Sequence, residues 1–225
     1  MDYRVDREQI LQITKKMITS GLVIETWGNV SARIAGKDQM LITPSGRDYL
    51  SMKPEDLIIV NFAGEKISGP FNPSSEKWLH IKIYLHNPQI KALVHVHSIF
   101  SAAFAVSHAT IPVILEEIAQ VVGHPVETVP YKRCGSIELA EAAAECFHNK
   151  RAVLLANHGL IAGAQDAEAA LRVCQVIERT AQAAVYSHIL GRAPISLPAD
   201  DVTDLCRRFV AYDAQKQLIS AQEEI

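Results

Sequence analysis

The sequence has no excess of positive charge, and this argues against a nucleic-acid-binding protein. Its 225 residues contain 22 lysines and arginines against 25 aspartates and glutamates, which gives a formal net charge of −3. Proteins that bind a polyanion usually concentrate basic side chains on one face, but no run of Lys and Arg here is longer than two residues. We therefore expect no nucleic-acid partner.

Long hydrophobic runs are also missing. A membrane-spanning helix needs about 20 consecutive apolar residues, and no segment of the chain approaches that length. The N-terminal segment MDYRVDREQ is charged where a secretory signal would need an apolar core. These absences predict a cytoplasmic protein with no membrane partner.

The chain has few cysteines, and their spacing excludes two common uses. Four cysteines are spread along the sequence without any C-x-x-C pair, namely Cys134, Cys146, Cys174 and Cys206. Neither a zinc ribbon nor a redox pair is indicated. We expect all four to be reduced.

No linker rich in Pro, Gly or Ser divides the chain, so a single domain over residues 1–225 is expected. Apolar periodicity predicts helices over 6–20, 74–86, 98–107, 136–149, 166–190 and 199–218. It predicts strands over 29–34, 40–45, 57–61, 65–68, 90–97 and 126–131, and a strand pair over 151–164. Asp6 and Gln9 are placed as a capping box for the first helix. Helices distributed among hairpin-linked strands predict a three-layer α/β/α fold around a central mixed, largely antiparallel sheet.

The segment ALVHVHSIF, residues 92–100, places two histidines one residue apart in a predicted strand. Alternate strand residues point to the same face, so His95 and His97 can converge on one metal ion. His158 is the candidate third ligand, because an apolar strand runs into Asn157-His158-Gly159 and the glycine leaves room beside the ring. Three imidazoles leave one tetrahedral position open, which is typical of catalytic zinc. The alternative, that the rings are only packed and hydrogen-bonded, stays open at this point.

The other six histidines lack such companions and are predicted to be structural or exposed. They are His80, His86, His108, His124, His148 and His188.

Glu76 lies in the first turn of a predicted helix. A carboxylate is favourable there because of the helix dipole alone. Beside a metal-bound carbonyl it would also be placed to act as a general base on the adjacent carbon.

Two loops mix glycine with small polar residues and could hold an anion without lysine. They are TWGNVS at 26–31 and TPSG at 43–46, and Ser74 and Ser75 at a helix start add further donors. A phosphate monoester would fit such a set, although each loop alone is also an ordinary turn. No P-loop or Rossmann fingerprint is present, so a nucleotide is not indicated.

Taken in order, the motifs GNVS, TPSG, SSE, HVH and NHGL resemble the signature of the class II aldolase/adducin family, from about residue 7 to about residue 213. The resemblance implies one Zn²⁺ per subunit, held by His95, His97 and His158. It implies that Glu76 is the acid/base and also approaches the metal when substrate is absent. It places the substrate phosphate among Gly28, Asn29, Ser45, Gly46, Ser74 and Ser75.

The resemblance further implies a homotetramer with active sites at subunit interfaces, in which a tyrosine of the next subunit protonates the aldehyde oxygen. Tyr212 stands where that tyrosine is expected. The implied reaction is reversible cleavage of L-fuculose 1-phosphate, or a related ketose 1-phosphate, to dihydroxyacetone phosphate and an aldehyde.

Glu116 stands where related fuculose-phosphate aldolases have a second tyrosine, and some dehydratases of the family use a glutamate near this position. A dehydratase resembling methylthioribulose-1-phosphate dehydratase is therefore one alternative, with Glu116 as a catalytic residue. A non-enzymatic adducin-like scaffold is the other. The sequence leaves open which ketose phosphate is used and whether the metal is zinc.

Overall fold

One eight-stranded sheet organises the fold. The computed structural model describes residues 3–223, and for residues 213, 214 and 216–223 it describes the backbone alone. The strands are β1 Asn29–Arg33, β2 Gln39–Ile42, β3 Ile58–Asn61, β4 Lys66–Ser68, β5 Ala92–Val96, β6 Thr128–Val129, β7 Ala152–Leu155 and β8 Gly159–Ala164. Their order in the sheet is β4-β3-β2-β1-β5-β8-β7-β6. Neighbours are antiparallel except β6 and β7, which are parallel, so the sheet is mixed and largely antiparallel as predicted.

Helices cover both faces of the sheet. They are α1 Arg4–Thr19, α2 Lys77–His86, α3 Ile99–Val106, α4 Glu116–Val121, α5 Ile137–Cys146, α6 Ala167–Ile189 and α7 Ala199–Glu223. Apolar side chains of α2 and α5 form one core cluster with the sheet, and those of α1, α3, α4, α6 and α7 form the other. The three-layer α/β/α prediction is confirmed.

Strand β5 lies near the middle of the sheet and is buried along its whole length. Leu93 packs into the core under α2 and α5, whereas Val94 and Val96 pack into the opposite core. Because side chains alternate, His95 and His97 point to the α2 side with Leu93. His95 lies opposite Asn29 of β1 and Ile161 of β8. The α2 side at the end of β5 is therefore where the polar residues gather.

Some local predictions were wrong. Helix α1 begins at Arg4, after Tyr3, and its N-terminus has no side-chain cap hydrogen bond. The predicted capping box of Asp6 and Gln9 is therefore not formed, because Asp6 already lies within the first turn. The short helix α4 was not predicted, and the strand expected over 126–131 is reduced to Thr128–Val129.

A single domain was expected over residues 1–225, and residues 1, 2, 224 and 225 lie outside the part of the chain that the structure describes. All four cysteines are free, as expected. Within residues 3–223, none of the helices combines the length and apolarity that a membrane crossing requires.

Candidate metal centre and substrate cavity

Three histidine rings and one carboxylate meet on the α2 side at the end of β5. His95 comes from β5, His97 follows it, His158 lies in the turn between β7 and β8, and Glu76 immediately precedes α2. Their candidate ligand atoms all lie within 4.8 Å of one another. The structure therefore brings together the four residues that the sequence singled out.

The distances within the cluster suit one tetrahedral cation. His95 Nε2 lies 3.0 Å from His97 Nε2 and 3.2 Å from His158 Nε2. Ligands at about 2.0–2.1 Å from a tetrahedral zinc would be about 3.3 Å apart. Glu76 Oε2 is 3.2 Å from His95 Nε2, and Glu76 Oε1 is 3.4 Å from His158 Nε2. A divalent cation fits this donor set of nitrogen and oxygen atoms.

The tautomer of His95 supports the same fit. Its Nδ1 lies 2.9 Å from the carbonyl oxygen of Leu160, which can only accept, so Nδ1 carries the proton. In the neutral ring that metal binding requires, the Nε2 lone pair would then point at the other two imidazoles. A backbone carbonyl behind the ring is the usual device that orients a metal-binding histidine.

The electrostatics keep two of the rings neutral near pH 7. Burial, together with the charge of His95, lowers the pKa of His97 to about 3 and that of His158 to about 4. Burial also lowers the pKa of His95, but the charge and hydrogen bond of Glu76 outweigh it, so the net pKa is raised. Burial raises the pKa of Glu76, but His95 opposes this strongly, so the carboxylate pKa is well below its usual value. Glu76 is therefore ionised at neutral pH.

Two backbone features explain how the turn between β7 and β8 places His158 beside His95 and His97. Asn157 has a φ of 56°, in the left-handed region that asparagine tolerates better than most residues. A Cβ at Gly159 would lie 2.4 Å from the carbonyl oxygen of Val96 and 3.0 Å from His97 Cδ2. Only glycine allows the backbone to pass this close to Val96, His95 and His97.

Replacing Gly159 with alanine should therefore disturb the metal centre. The new methyl group must displace either the Val96 carbonyl or the His97 ring, and overpacking of this kind typically costs about 1–3 kcal/mol. We expect a lower melting temperature and weaker metal retention, measured by thermal denaturation and elemental analysis.

Gly36→Ala is a matched control for that variant. Gly36 has a φ of 69° but open space around its Cβ position, so its replacement should lower stability without changing metal content. Equal metal content in the two variants would show that the close approach at Gly159 does not shape the centre.

A cavity of about 620 Å³ opens over the cluster. All six residues predicted to hold a phosphate line it, namely Gly28, Asn29, Ser45, Gly46, Ser74 and Ser75. Glu76, His97 and His158 line the same cavity, while His95 is fully buried beneath. A ligand in this cavity can contact the loop residues and the metal-binding cluster together.

Backbone contacts hold the loops of this cavity in place. Pro44 and Pro73 form an isolated antiparallel bridge, which joins the TPSG loop to the segment before α2. Gly28 has a φ of 128°, and a Cβ there would lie 2.7 Å from the carbonyl oxygen of His95. The glycine of TWGNVS is therefore required by the close packing of this loop on β5.

The cavity is also lined by Tyr131, Lys132 and Cys134, for which the sequence predicted no role in the site. Lys132 adds a cationic side chain to a lining that was expected to be without lysine. Burial and the nearby Glu76 carboxylate raise the pKa of Cys134 to about 12. The protonated thiol donates to Glu76 Oε1 over 3.4 Å.

Tyr212 and Glu116 lie away from the cavity. Tyr212 is on α7 and is 63% exposed. Glu116 is the exposed first residue of α4. Within the described part of a single chain neither residue lines the cavity, so their catalytic roles remain predictions.

Comparison with known proteins gives consistent results. The family profile described as "Class II Aldolase and Adducin N-terminal domain" matches residues 8–185. A 5-deoxy-D-ribulose 1-phosphate aldolase of Bacillus thuringiensis serovar kurstaki is 40% identical over 210 residues, which are 93% of this chain and 98% of that protein. A 5-methylthioribulose-1-phosphate/5-deoxyribulose-1-phosphate aldolase of Rhodospirillum rubrum is 34% identical over 215 residues, 95% of each protein.

Among solved structures, an L-fuculose 1-phosphate aldolase has a TM-score of 0.87 at 31% identity, over 91% of this chain and 96% of that chain. The matched family region contains the whole cluster of Glu76, His95, His97 and His158, whereas Tyr212 lies beyond it.

Proposed function

The chain belongs to the class II aldolase and adducin family as an aldolase of the metal-dependent class, and on that premise we propose that it cleaves a phosphorylated 5-deoxypentulose. For 5-deoxyribulose 1-phosphate, the bond between C3 and C4 breaks. The products are dihydroxyacetone phosphate and acetaldehyde, and the reverse reaction is a condensation. The choice of a deoxypentulose is supported by the relatives from Bacillus thuringiensis and Rhodospirillum rubrum, which are both named as aldolases of 5-deoxyribulose 1-phosphate.

One observation carries this proposal. The cluster of three imidazoles and a carboxylate lies in the same cavity as the six loop residues predicted to hold a phosphate. A ketose 1-phosphate has a phosphate at one end and a ketone one carbon away. Such a molecule can therefore occupy both parts of the cavity at once.

We propose that His95, His97 and His158 hold a Zn²⁺ ion, for which histidine nitrogens are suitable donors. When bound, the cation supplies a Lewis acid that polarises the ketone and stabilises negative charge on its oxygen. In the condensation direction Glu76 removes a proton from C3 of dihydroxyacetone phosphate, and that carbon forms the new bond to the aldehyde carbon. In the cleavage direction Glu76 returns the proton to C3.

At the other end of the cavity, the glycine, serine and asparagine groups of the loops would bind the phosphate oxygens. Lys132 would add a positive charge to this neutral set. The side chain of Asn29 already donates one amide hydrogen to Glu76, so it has one hydrogen left for a phosphate.

We also propose that the enzyme is a homotetramer in which Tyr212 of an adjacent subunit completes each site. In support, Tyr212 is exposed and lies away from the cavity of its own chain. In the condensation direction its hydroxyl would protonate the aldehyde oxygen, and in cleavage it would take that proton back.

The variant Tyr212→Phe tests this role. Removing a general acid typically costs about 10²–10⁴-fold in rate, and we expect cleavage to slow by at least about 10²-fold. Exchange of the C3 proton of dihydroxyacetone phosphate with solvent deuterium, followed by NMR, needs no aldehyde and should slow much less. Equal slowing of both reactions would remove Tyr212 from the protonation step.

The experiment that tests the proposed function is a panel of ketose 1-phosphates. 5-Deoxyribulose 1-phosphate, ribulose 1-phosphate and L-fuculose 1-phosphate would each be assayed for dihydroxyacetone phosphate and for dehydrated product. We expect dihydroxyacetone phosphate from each substrate that reacts, with the highest kcat/KM for 5-deoxyribulose 1-phosphate. Loss of water without dihydroxyacetone phosphate would instead identify a dehydratase, and purification without stoichiometric metal would favour an adducin-like scaffold.

A further inference from the structure

A chain of buried polar side chains runs behind Glu76, from Asn29, which also lines the cavity, to Tyr84 in the interior. Asn29 Nδ2 donates to Glu76 Oε2 over 2.9 Å, and Asn29 Oδ1 is hydrogen-bonded to His80 Nε2. His80 Nδ1 lies 2.6 Å from Ser31 Oγ, which lies 2.8 Å from the hydroxyl of Tyr84. Asn29 is 2% exposed, and His80, Ser31 and Tyr84 are fully buried.

The direction of each hydrogen bond in this chain is fixed by the one before it. Asn29 Nδ2 donates to Glu76 Oε2, so the Asn29 amide turns its NH₂ group toward Glu76 and its oxygen toward His80. That oxygen can only accept, so His80 carries a proton on Nε2. The remaining nitrogen, Nδ1 of a neutral ring, accepts from Ser31. The Ser31 oxygen in turn accepts from the hydroxyl of Tyr84.

Two facts support a neutral His80. Burial lowers its pKa to about 3, and the charge of His95 acts in the same direction against the opposing charge of Glu76. Both of its ring nitrogens also have partners in the chain just described, so the ring is fully satisfied by one tautomer. A buried polar network in which every member is satisfied gives a rigid, unique arrangement.

The two oxygens of Glu76 have different surroundings as a result. Oε2 is held by Asn29 and lies next to His95. Oε1 lies next to His158 and accepts from Cys134, a residue that lines the cavity. Oε2 is therefore tied to the buried chain through Asn29, whereas the residue that donates to Oε1, Cys134, is exposed.

We propose that His80 is a positioning residue for the aldol reaction. It fixes the orientation of the Asn29 amide, which in turn holds Oε2 of Glu76 by a hydrogen bond. Oε1 is then the oxygen that exchanges the proton with the substrate. This inference rests on the proposed function. Ser31 and Tyr84 fix the tautomer of His80, and this tautomer fixes the orientation of the Asn29 amide.

If the donor at residue 80 is lost, the Asn29 oxygen has no partner and the amide is free to rotate. Its oxygen can then face the carboxylate, and repulsion would push Glu76 out of its reactive position. No histidine of the metal cluster takes part in the chain from Asn29 to Tyr84, so metal binding should survive. A positioning role for His80 therefore predicts that turnover falls while the bound metal is retained.

Three variants of the enzyme test the positioning role of His80. His80→Leu removes the donor to Asn29. His80→Gln keeps an N–H group at nearly the position of Nε2. Ser31→Ala removes the donor to His80 Nδ1 with a minimal change of volume, and it serves if His80→Leu does not fold. Thr14→Ala is the matched control, because Thr14 is equally buried and its hydroxyl donates to the Leu11 carbonyl of α1, in the opposite layer.

Five quantities would be measured for each variant: bound metal per chain, melting temperature, kcat and KM for release of dihydroxyacetone phosphate, and the rate of proton exchange at its C3. For His80→Leu we expect kcat and the exchange rate to fall by about 10–100-fold, the usual effect of losing a partner behind a metal-site residue. Metal content should change little, because all three histidines of the cluster remain. Ser31→Ala should show a smaller fall of the same kind, and His80→Gln should recover most of kcat.

Several results would overturn the proposal. One is an unchanged kcat in His80→Leu, or in Ser31→Ala if the first variant does not fold. Another is an equal loss in His80→Leu and His80→Gln, and a third is a loss that follows the metal content. A wild-type enzyme that neither releases dihydroxyacetone phosphate nor exchanges its proton would overturn the proposed function and this inference together. An active wild type with unaffected variants would overturn the positioning role alone.

Discussion

Replacing His95 with alanine is expected to remove the metal and to abolish measurable turnover. His95 is fully buried at the centre of the cluster, and its Nε2 lies 3.0–3.2 Å from His97, His158 and Glu76. Lewis-acid stabilisation is typically worth several kcal/mol, and each 1.36 kcal/mol corresponds to about tenfold in rate. The expected loss in kcat/KM is therefore about 10³-fold or more.

Elemental analysis after dialysis, together with a coupled assay for dihydroxyacetone phosphate, would check this prediction. His86→Ala is the control, because His86 is exposed on α2 and its ring is hydrogen-bonded within the helix, to the Lys82 carbonyl. The control should keep both metal and activity. Full metal occupancy in His95→Ala would mean that the three imidazoles do not form the binding site.

The second large effect is expected for Glu76→Gln. Glutamine has the same shape as glutamate and its oxygen can still accept from Asn29, but its amide cannot take a proton from carbon at neutral pH. Loss of a general base typically costs about 10²–10⁴-fold in rate, and we expect a fall in kcat within that range. Metal content should stay near the wild-type value, because all three imidazoles remain.

The proton-exchange rate of dihydroxyacetone phosphate should fall in parallel with kcat in this variant, since both reactions need the same base. Glu117→Gln, at an exposed position on α4, is the matched control and should behave as wild type. Near-normal kinetics of Glu76→Gln would exclude Glu76 from the proton transfer.

The core of the site could be predicted from the sequence because its signals are local. Alternation along one strand puts His95 and His97 on the same face, and a strand that runs into Asn-His-Gly places His158 at the end of that strand. Glu76 was predicted in the first turn of a helix over 74–86, and it lies immediately before α2, which begins at Lys77. These rules do not depend on which elements become neighbours.

The remaining parts of the site depend on packing that no local pattern encodes. Tyr131, Lys132 and Cys134 belong to a loop that follows the short strand β6, and nothing in its composition indicates that it borders the cavity. Helix α4 has only six residues, too few for a clear periodic signal. The first helix was predicted to start at a capping box, although it begins earlier without a side-chain cap.

The polar residues of the chain behind Glu76 can be seen in the sequence, but the contacts between them depend on tertiary packing. Asn29 and Ser31 alternate on β1, and His80 and Tyr84 lie one turn apart on α2. Each pair is visible in the sequence as two polar residues on one face. The hydrogen bonds between the two pairs form only when α2 packs across β1 and all four residues become buried together.

The central claim is that one cation binds at His95, His97 and His158 with a coordination position open to the ketone of the substrate. Cobalt substitution tests it most directly, because Co²⁺ reports its coordination through visible absorption. We predict that metal-free protein binds one Co²⁺ per chain, and that its absorption bands change when dihydroxyacetone phosphate is added but not with glycerol 3-phosphate, which lacks the ketone. Binding well below one Co²⁺ per chain, or a spectrum that dihydroxyacetone phosphate leaves unchanged, would contradict the claim.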